Sequence, residues 1–202
     1  MPWREILSVS AIILTFVAFG PYIGSILQGK TRPHVFSWVI WGSTTFVVFL
    51  AQLQGNAGVG AWPIGVSGGI AVFVALLAYR TTKDHSITRT DWWFFSLAMS
   101  SLPLWYLTSD PLWAVLVLTT IDVLGFGPTI RKSFHAPFEE QLRFYLLFAT
   151  RNLLAIAALE HFSVTTVLFP AATGAGCLVL ITVIVIRRWV YPASGGKVFP
   201  LD

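Results

Sequence analysis

Two charged side chains stand where a charge is costly. Asp122 is the only acid well inside an apolar run, and Arg151, followed by Asn152, lies near the middle of the next one. Either charge facing hydrocarbon would cost at least ~2.5–3.5 kcal/mol, so both must face protein or a water-filled cavity. Two chemistries fit. The two residues can form a structural ion pair, in which losing one partner costs more than losing both. Alternatively they can line a polar binding site together with Asn152. Ser37, Trp41, Thr44 and Gln52 share one helical face. Trp41 can stack on a ring and Thr44 can hydrogen-bond a polar ligand, or the hydroxyls can bond their own backbone while Trp41 packs.

Reaction chemistry is poorly provided for. Intramembrane hydrolysis needs paired acids, a nucleophile with its base, or metal ligands. Here there is one mid-run acid, no histidine clearly inside an apolar run, and a single cysteine, Cys177, without a partner. The chain is read as a non-enzyme, with no catalytic residue, no metal site and no cofactor. Lys30, Lys83, Lys132 and Lys197 all fall in loops or the tail, which excludes a Schiff-base pigment. Glu160-His161 reads as a solvated loop charge, Glu139-Glu140 as a loop charge cluster among basic residues, and Cys177 as a small packing residue.

The elements that must position these residues are apolar helices. The chain of 202 residues is 55% hydrophobic and 11% charged, whereas a soluble domain carries roughly a quarter charged residues. Seven runs approach the length that spans a bilayer: about 6–28, 35–54, 59–79, 92–108, 112–133, 142–160 and 163–186. In lipid they must be helical, because open strands would leave backbone groups unpaired. The expectation is an all-α integral membrane protein with seven transmembrane helices. The first run is too long for a signal peptide and is read as a retained helix.

The net charge of +4 does not indicate nucleic-acid binding, because the basic residues sit in short inter-helix loops. Lys30, Arg32, Arg80, Lys83, Arg89, Arg131, Lys132, Arg143, Arg187, Arg188 and Lys197 fall on one side; Arg4 falls on the other and Arg151 within a run. That bias puts the N-terminus outside and the C-terminus in the cytoplasm, with the chain in the plasma (inner) membrane. Trp92, Trp93, Trp105, Tyr106, Trp113, Trp189 and Tyr191 sit at run ends, as interfacial anchors do.

An internal repeat organises the helices. Phe19-Gly20-Pro21 recurs as Phe126-Gly127-Pro128, an offset of 107 residues. At the same offset Ile23 meets Ile130, Trp41 meets Phe148, Pro63 meets Pro170, and Gly69 meets Gly176. Gly65-xxx-Gly69 pairs with Ala172-xxx-Gly176, a small-residue pattern that permits close helix approach. The chain divides into a first three-helix repeat (1–80), a linker helix (81–110), a second three-helix repeat (111–188) and a tail (189–202). The odd linker makes the two repeats parallel, with a site expected at the midplane between them. In this register Asp122 replaces Thr15, Arg151 replaces Thr44 and Asn152 replaces Thr45, so a cavity between the copies would be electrically lopsided. Pro21, Pro63, Pro128 and Pro170 each predict a helix kink, either a static bend or, from their symmetric placement, a hinge or gate.

Pro21-Tyr-Ile-Gly-Ser-Ile-Leu-Gln-Gly-Lys-Thr-Arg and Pro128-Thr-Ile-Arg-Lys-Ser-Phe, on this 3+1+3 plan, resemble the PQ-loop and SWEET-like (MtN3-type) transporter superfamily, as a divergent bacterial-type member. The resemblance implies parallel three-helix repeats and a gating role for Pro21 and Pro128. Sugar specificity does not carry over, because Tyr22 and Thr129 follow the prolines and the third helices offer Ser67 and Thr173 in place of asparagines. The implied function is a facilitator or proton-coupled carrier of a small polar metabolite such as a sugar, amino acid or vitamin. A non-transporting scaffold or receptor on the same fold is the alternative. The expected partners are the lipid bilayer and a small-molecule substrate, without nucleic acid; a homo-oligomer is compatible with the sequence.

Overall fold

The computed structural model describes residues 2–29, 35–81, 87, 89–135, 137–138 and 140–190, excluding the side chains of 90, 91, 94, 128, 131 and 132. The expectations for Lys30, Arg32, Lys83, Glu139, Lys197 and the tail beyond 190, and for the side chains of Pro128, Arg131 and Lys132, lie outside the described residues.

Among the described residues the fold is entirely helical: α1 (Pro2–Leu27), α2 (Val35–Gln54), α3 (Trp62–Thr81), α4 (Arg89–Thr108), α5 (Pro111–His135), α6 (Leu142–Ala157) and α7 (Val164–Val190). A single 3₁₀ turn, Gly58–Ala61, leads into α3. Four segments, Pro2–Leu27, Val35–Gln54, Gly58–Thr81 and Val164–Val190, are long and apolar enough to cross a membrane, and α5 adds the shorter apolar stretch Pro111–Gly127. Large apolar side chains such as Phe16, Leu76, Leu107 and Trp189 stand exposed on the outside. A soluble surface rarely carries so much of this material, which suits contact with lipid.

The most extensive packing joins α2 to α3, α6 to α7 and α5 to α7, followed by α1 to α6, α4 to α5, α1 to α3 and α2 to α5. Of the two halves of the chain, α1–α3 and α5–α7, α3 packs on both α1 and α2 and α7 on both α5 and α6, while α1 packs on α6 and α2 on α5. Two apolar clusters fill the interior. One runs from Val48 and Ile64 to Val115 and Leu118; the other gathers Phe19, Trp38 and Val74.

Close approach is built on specific glycines. A Cβ at Gly42 would lie 3.1 Å from the Val72 backbone nitrogen, and one at Gly68 would lie 3.3 Å from that of Phe46, so α2 and α3 touch backbone to backbone. Gly65 and Gly176 instead seat neighbouring rings, of Phe49 and Phe126, while Gly69 has open space around it. The small-residue pattern thus acts through Gly65 and Gly176 but not through Gly69.

The prolines are not equivalent. Pro21 and Pro170 lie inside α1 and α7, as does Pro103 inside α4. Pro63 lies in the first turn of α3, where a missing N–H breaks no bond within that helix. Pro170 removes the donor for the carbonyl four residues earlier, that of Thr166. Gln52 Nε2 replaces it at 2.7 Å. At the register-matched carbonyl, Val59, Ser8 Oγ donates at 2.6 Å.

Candidate functional site

A cavity of about 270 Å³ lies between the two halves, lined by residues of α1, α2, α3, α5, α6 and α7. It is just below the ~300–1,000 Å³ of small-molecule sites. Its walls extend from mid-helix positions such as Asp122 and Arg151 to Trp38 and Phe144, in the first turns of α2 and α6. At the other end of those helices the halves meet directly. Glu160 N donates to Ala57 O at 3.0 Å, Val59 N donates to Glu160 Oε1 at 3.3 Å, and Gly60 lies against the Leu159 backbone. Glu160 is thus more than a solvated loop charge: it closes on the turn before α3.

Arg151 is only 2% exposed and reaches out of α6 into the first half of the chain. Its Nε donates to Thr15 Oγ1 at 3.3 Å and its Nη1 to Asn152 Oδ1 at 2.6 Å. Its Nη2 donates to Ser67 Oγ at 2.5 Å and to the Pro63 carbonyl oxygen. Ser67 and Thr15 present their oxygens because their own hydroxyls donate back to Pro63 O and Ala11 O, at 3.0 and 2.9 Å. The guanidinium also lies 5.4 Å from the Phe148 ring centroid. A flat, five-donor cation suits this arrangement of neutral oxygens on three helices, whereas an ammonium would reach fewer of them.

Asp122 lines the same cavity but takes no part in that network. Its Oδ1 is buried without a hydrogen-bond partner, and among the described residues no ion pair joins Asp122 to Arg151. The structural ion pair considered from the sequence is therefore not formed. The two charges face one cavity separately.

Of the residues singled out by sequence chemistry, Trp41, Asp122 and Arg151 line the cavity. Thr44 does not: it is fully buried and donates to its own helix at Trp41 O, 3.1 Å away, while its neighbour Thr45 takes the lining position. Asn152 is buried beside Arg151 and acts through it. Pro21, Pro63 and Pro170 are outside the lining set. Residue chemistry alone does not point to Phe19, Phe126, Trp38, Tyr145 or Phe148, yet all line the cavity. The signal that finds them is the register. At the offset of 107, Phe19 pairs with Phe126, Trp38 with Tyr145, and Trp41 with Phe148, so three matched aromatic pairs surround one space.

The rings are interlocked. Trp38 meets Trp41 edge-on at 5.2 Å between centroids, Phe19 meets Phe148 at 5.5 Å, and Phe144 stacks on Phe148 at 4.9 Å. Such offset and edge-to-face contacts hold the walls in shape. Among the described residues no cluster of His, Cys, Asp and Glu has the make-up of a metal site. Comparison with family models, with curated protein sequences and with solved structures finds no match to this chain.

Proposed function

We propose that the chain is a membrane transporter for a small polar metabolite, working by alternating access between two parallel three-helix repeats of PQ-loop or SWEET-like type. In this reading α1–α3 and α5–α7 are the repeats, α4 is the linker, and all seven helices cross the bilayer. The observation that carries it is the cavity between the halves, walled by register-matched aromatic pairs and holding two separate charges. The reciprocal packing of α1 on α6 and α2 on α5 supports the repeat arrangement. With the basic loops in the cytoplasm of an inner membrane, the cavity opens inward and the contact of Glu160 with the 57–60 turn is the closed outer gate. Pro21 and Pro170, inside their helices, are the natural points of flexure, and Pro128 shares the register of Pro21.

The test is flux. Proteoliposomes carrying the purified protein are assayed for uptake of those metabolites that raise its melting temperature, since a ligand stabilises in proportion to its binding. Thr45→Trp fills the cavity and is expected to abolish uptake while leaving a folded protein. Undiminished uptake by that variant would overturn the proposal. A ligand that stabilises the protein but never crosses the bilayer would make it a receptor on this fold.

A further inference from the structure

The electrostatics of the cavity point beyond a generic polar solute to the charge of the ligand. We infer that the site selects an organic ammonium ion: a compact amine whose N–H⁺ group bonds Asp122 and whose apolar or aromatic body lies among the rings. The inference rests on the cavity being a substrate site, as proposed above, and specifies its chemistry.

The two halves treat matched positions differently. In the first, Thr15, Pro63 O and Ser67 form a slot that the chain fills with its own cation, the Arg151 guanidinium. In the second, the register partner of Thr15 is Asp122, an acid, and the register partner of Arg151 is Thr44, a short side chain bonded to its own helix. The half with the carboxylate thus lacks the cation that its counterpart has. Asp122 Oδ1 is buried with no hydrogen-bond partner while the residue lines the cavity. A buried acceptor left unmade is unfavourable, and more so when charged. The residue as a whole is only half-buried, so an ammonium in the cavity can approach the carboxylate from its open side and supply the charge it lacks.

The walls favour the same ligand. Trp41, Phe126, Tyr145 and Phe148 line the cavity, and ring faces attract cations, more so where water is excluded. The chain itself places a cation beside Phe148, at 5.4 Å. An anionic ligand has less on offer, because four of the five Arg151 N–H donors are already engaged by Thr15, Asn152, Ser67 and the Pro63 carbonyl. The small volume, about 270 Å³, restricts the ligand to a compact body.

The experiment compares three molecules of one shape on the purified full chain in detergent: 2-phenylethylammonium, the uncharged 2-phenylethanol and the anionic 3-phenylpropanoate. The ammonium is expected to raise the melting temperature, and the other two are not. Asp122→Asn should weaken ammonium binding by about tenfold to a hundredfold, as for loss of one charge-assisted hydrogen bond. Phe148→Leu should weaken it by about threefold to tenfold. Should Asp122→Asn not fold, the wild type still decides the matter. Carbodiimide labelling of Asp122, read by mass spectrometry, is slowed by the N,N-dimethyl form of the ammonium, which cannot be coupled to the activated carboxyl, and not by the alcohol. The inference is overturned if 2-phenylethanol binds as tightly as the ammonium, or if the ammonium neither stabilises the protein nor protects Asp122. Ammonium binding without flux in proteoliposomes would overturn transport and leave the ligand class standing. Flux of an uncharged polar solute, with no response to the ammonium, would do the reverse.

Discussion

The side-chain amide of Gln52 in α2 donates a 2.7 Å hydrogen bond to the carbonyl oxygen of Thr166 in α7, a carbonyl that Pro170 deprives of its helical donor. A side chain of the first half thereby repairs a backbone defect in the second. Gln52→Leu removes the repair and should lower stability by about 1 kcal/mol, within the range found for hydrogen bonds inside membranes. Pro170→Ala restores an N–H to the helix, so the same Gln52→Leu change should cost less in that background. A double-mutant cycle read by thermal unfolding tests the coupling; equal costs in both backgrounds would refute it.

Arg151 depends on shape as much as on charge. Arg151→Lys keeps the cation but cannot reach Thr15, Ser67, Asn152 and Pro63 O together. We expect Lys to recover little of the stability lost in Arg151→Met, with both variants down by about 3 kcal/mol, since hydrogen bonds to a charged group contribute about 1.5–3 kcal/mol each and do not add fully. Near-wild-type melting of the Lys variant would show that charge alone suffices.

Asp122 should trade stability for activity. Its unpartnered Oδ1 is a cost in the resting protein, so Asp122→Leu is expected to raise the melting temperature by a few degrees, about 1 kcal/mol for a chain of this size. The same variant should lose uptake in proteoliposomes, the common outcome when a strained binding site is relaxed. A destabilised Leu variant would instead assign Asp122 a structural role.

The end of the molecule where α2 turns into α3 and α6 into α7 is held by a glycine contact. A Cβ at Gly60 would lie 2.7 Å from the Leu159 nitrogen and 2.8 Å from its Cα, backbone atoms that cannot move aside. Gly60→Ala should therefore cost about 1–3 kcal/mol and separate α6 from the turn before α3. Paired spin labels at Asn56 and His161 would report the increased distance. Gly69→Ala, with nothing within 4 Å, is the control and should leave both stability and distance unchanged.

Much of the helical plan is legible in the amino-acid order. The run expected at 35–54 is α2, Val35–Gln54, because Pro33 before it and Gly55 after it bound a continuous apolar stretch. α1 starts earlier than expected, at Pro2, since a proline in the first turn suits a helix start. The site is legible only in part. The costly charges at 122 and 151 stand out by type, and the register of 107 pairs the rings that wall the cavity. Their partners do not stand out. Nothing in the order of residues says that Arg151 enters a slot of Thr15, Ser67 and a backbone carbonyl rather than meeting Asp122.

The sequence by itself determined that the chain is apolar and helical, where its helices fall, and that two of its segments share one register. Those properties are local, set by the length and polarity of each run. Tertiary structure alone decided which face of each helix looks inward. One residue along a helix turns the side chain by about 100°, so Thr45 lines the cavity while Thr44 is buried against its own backbone. The same rotation, fixed by packing between the halves, gives Arg151 four partners from its own chain and leaves Asp122 facing an open space.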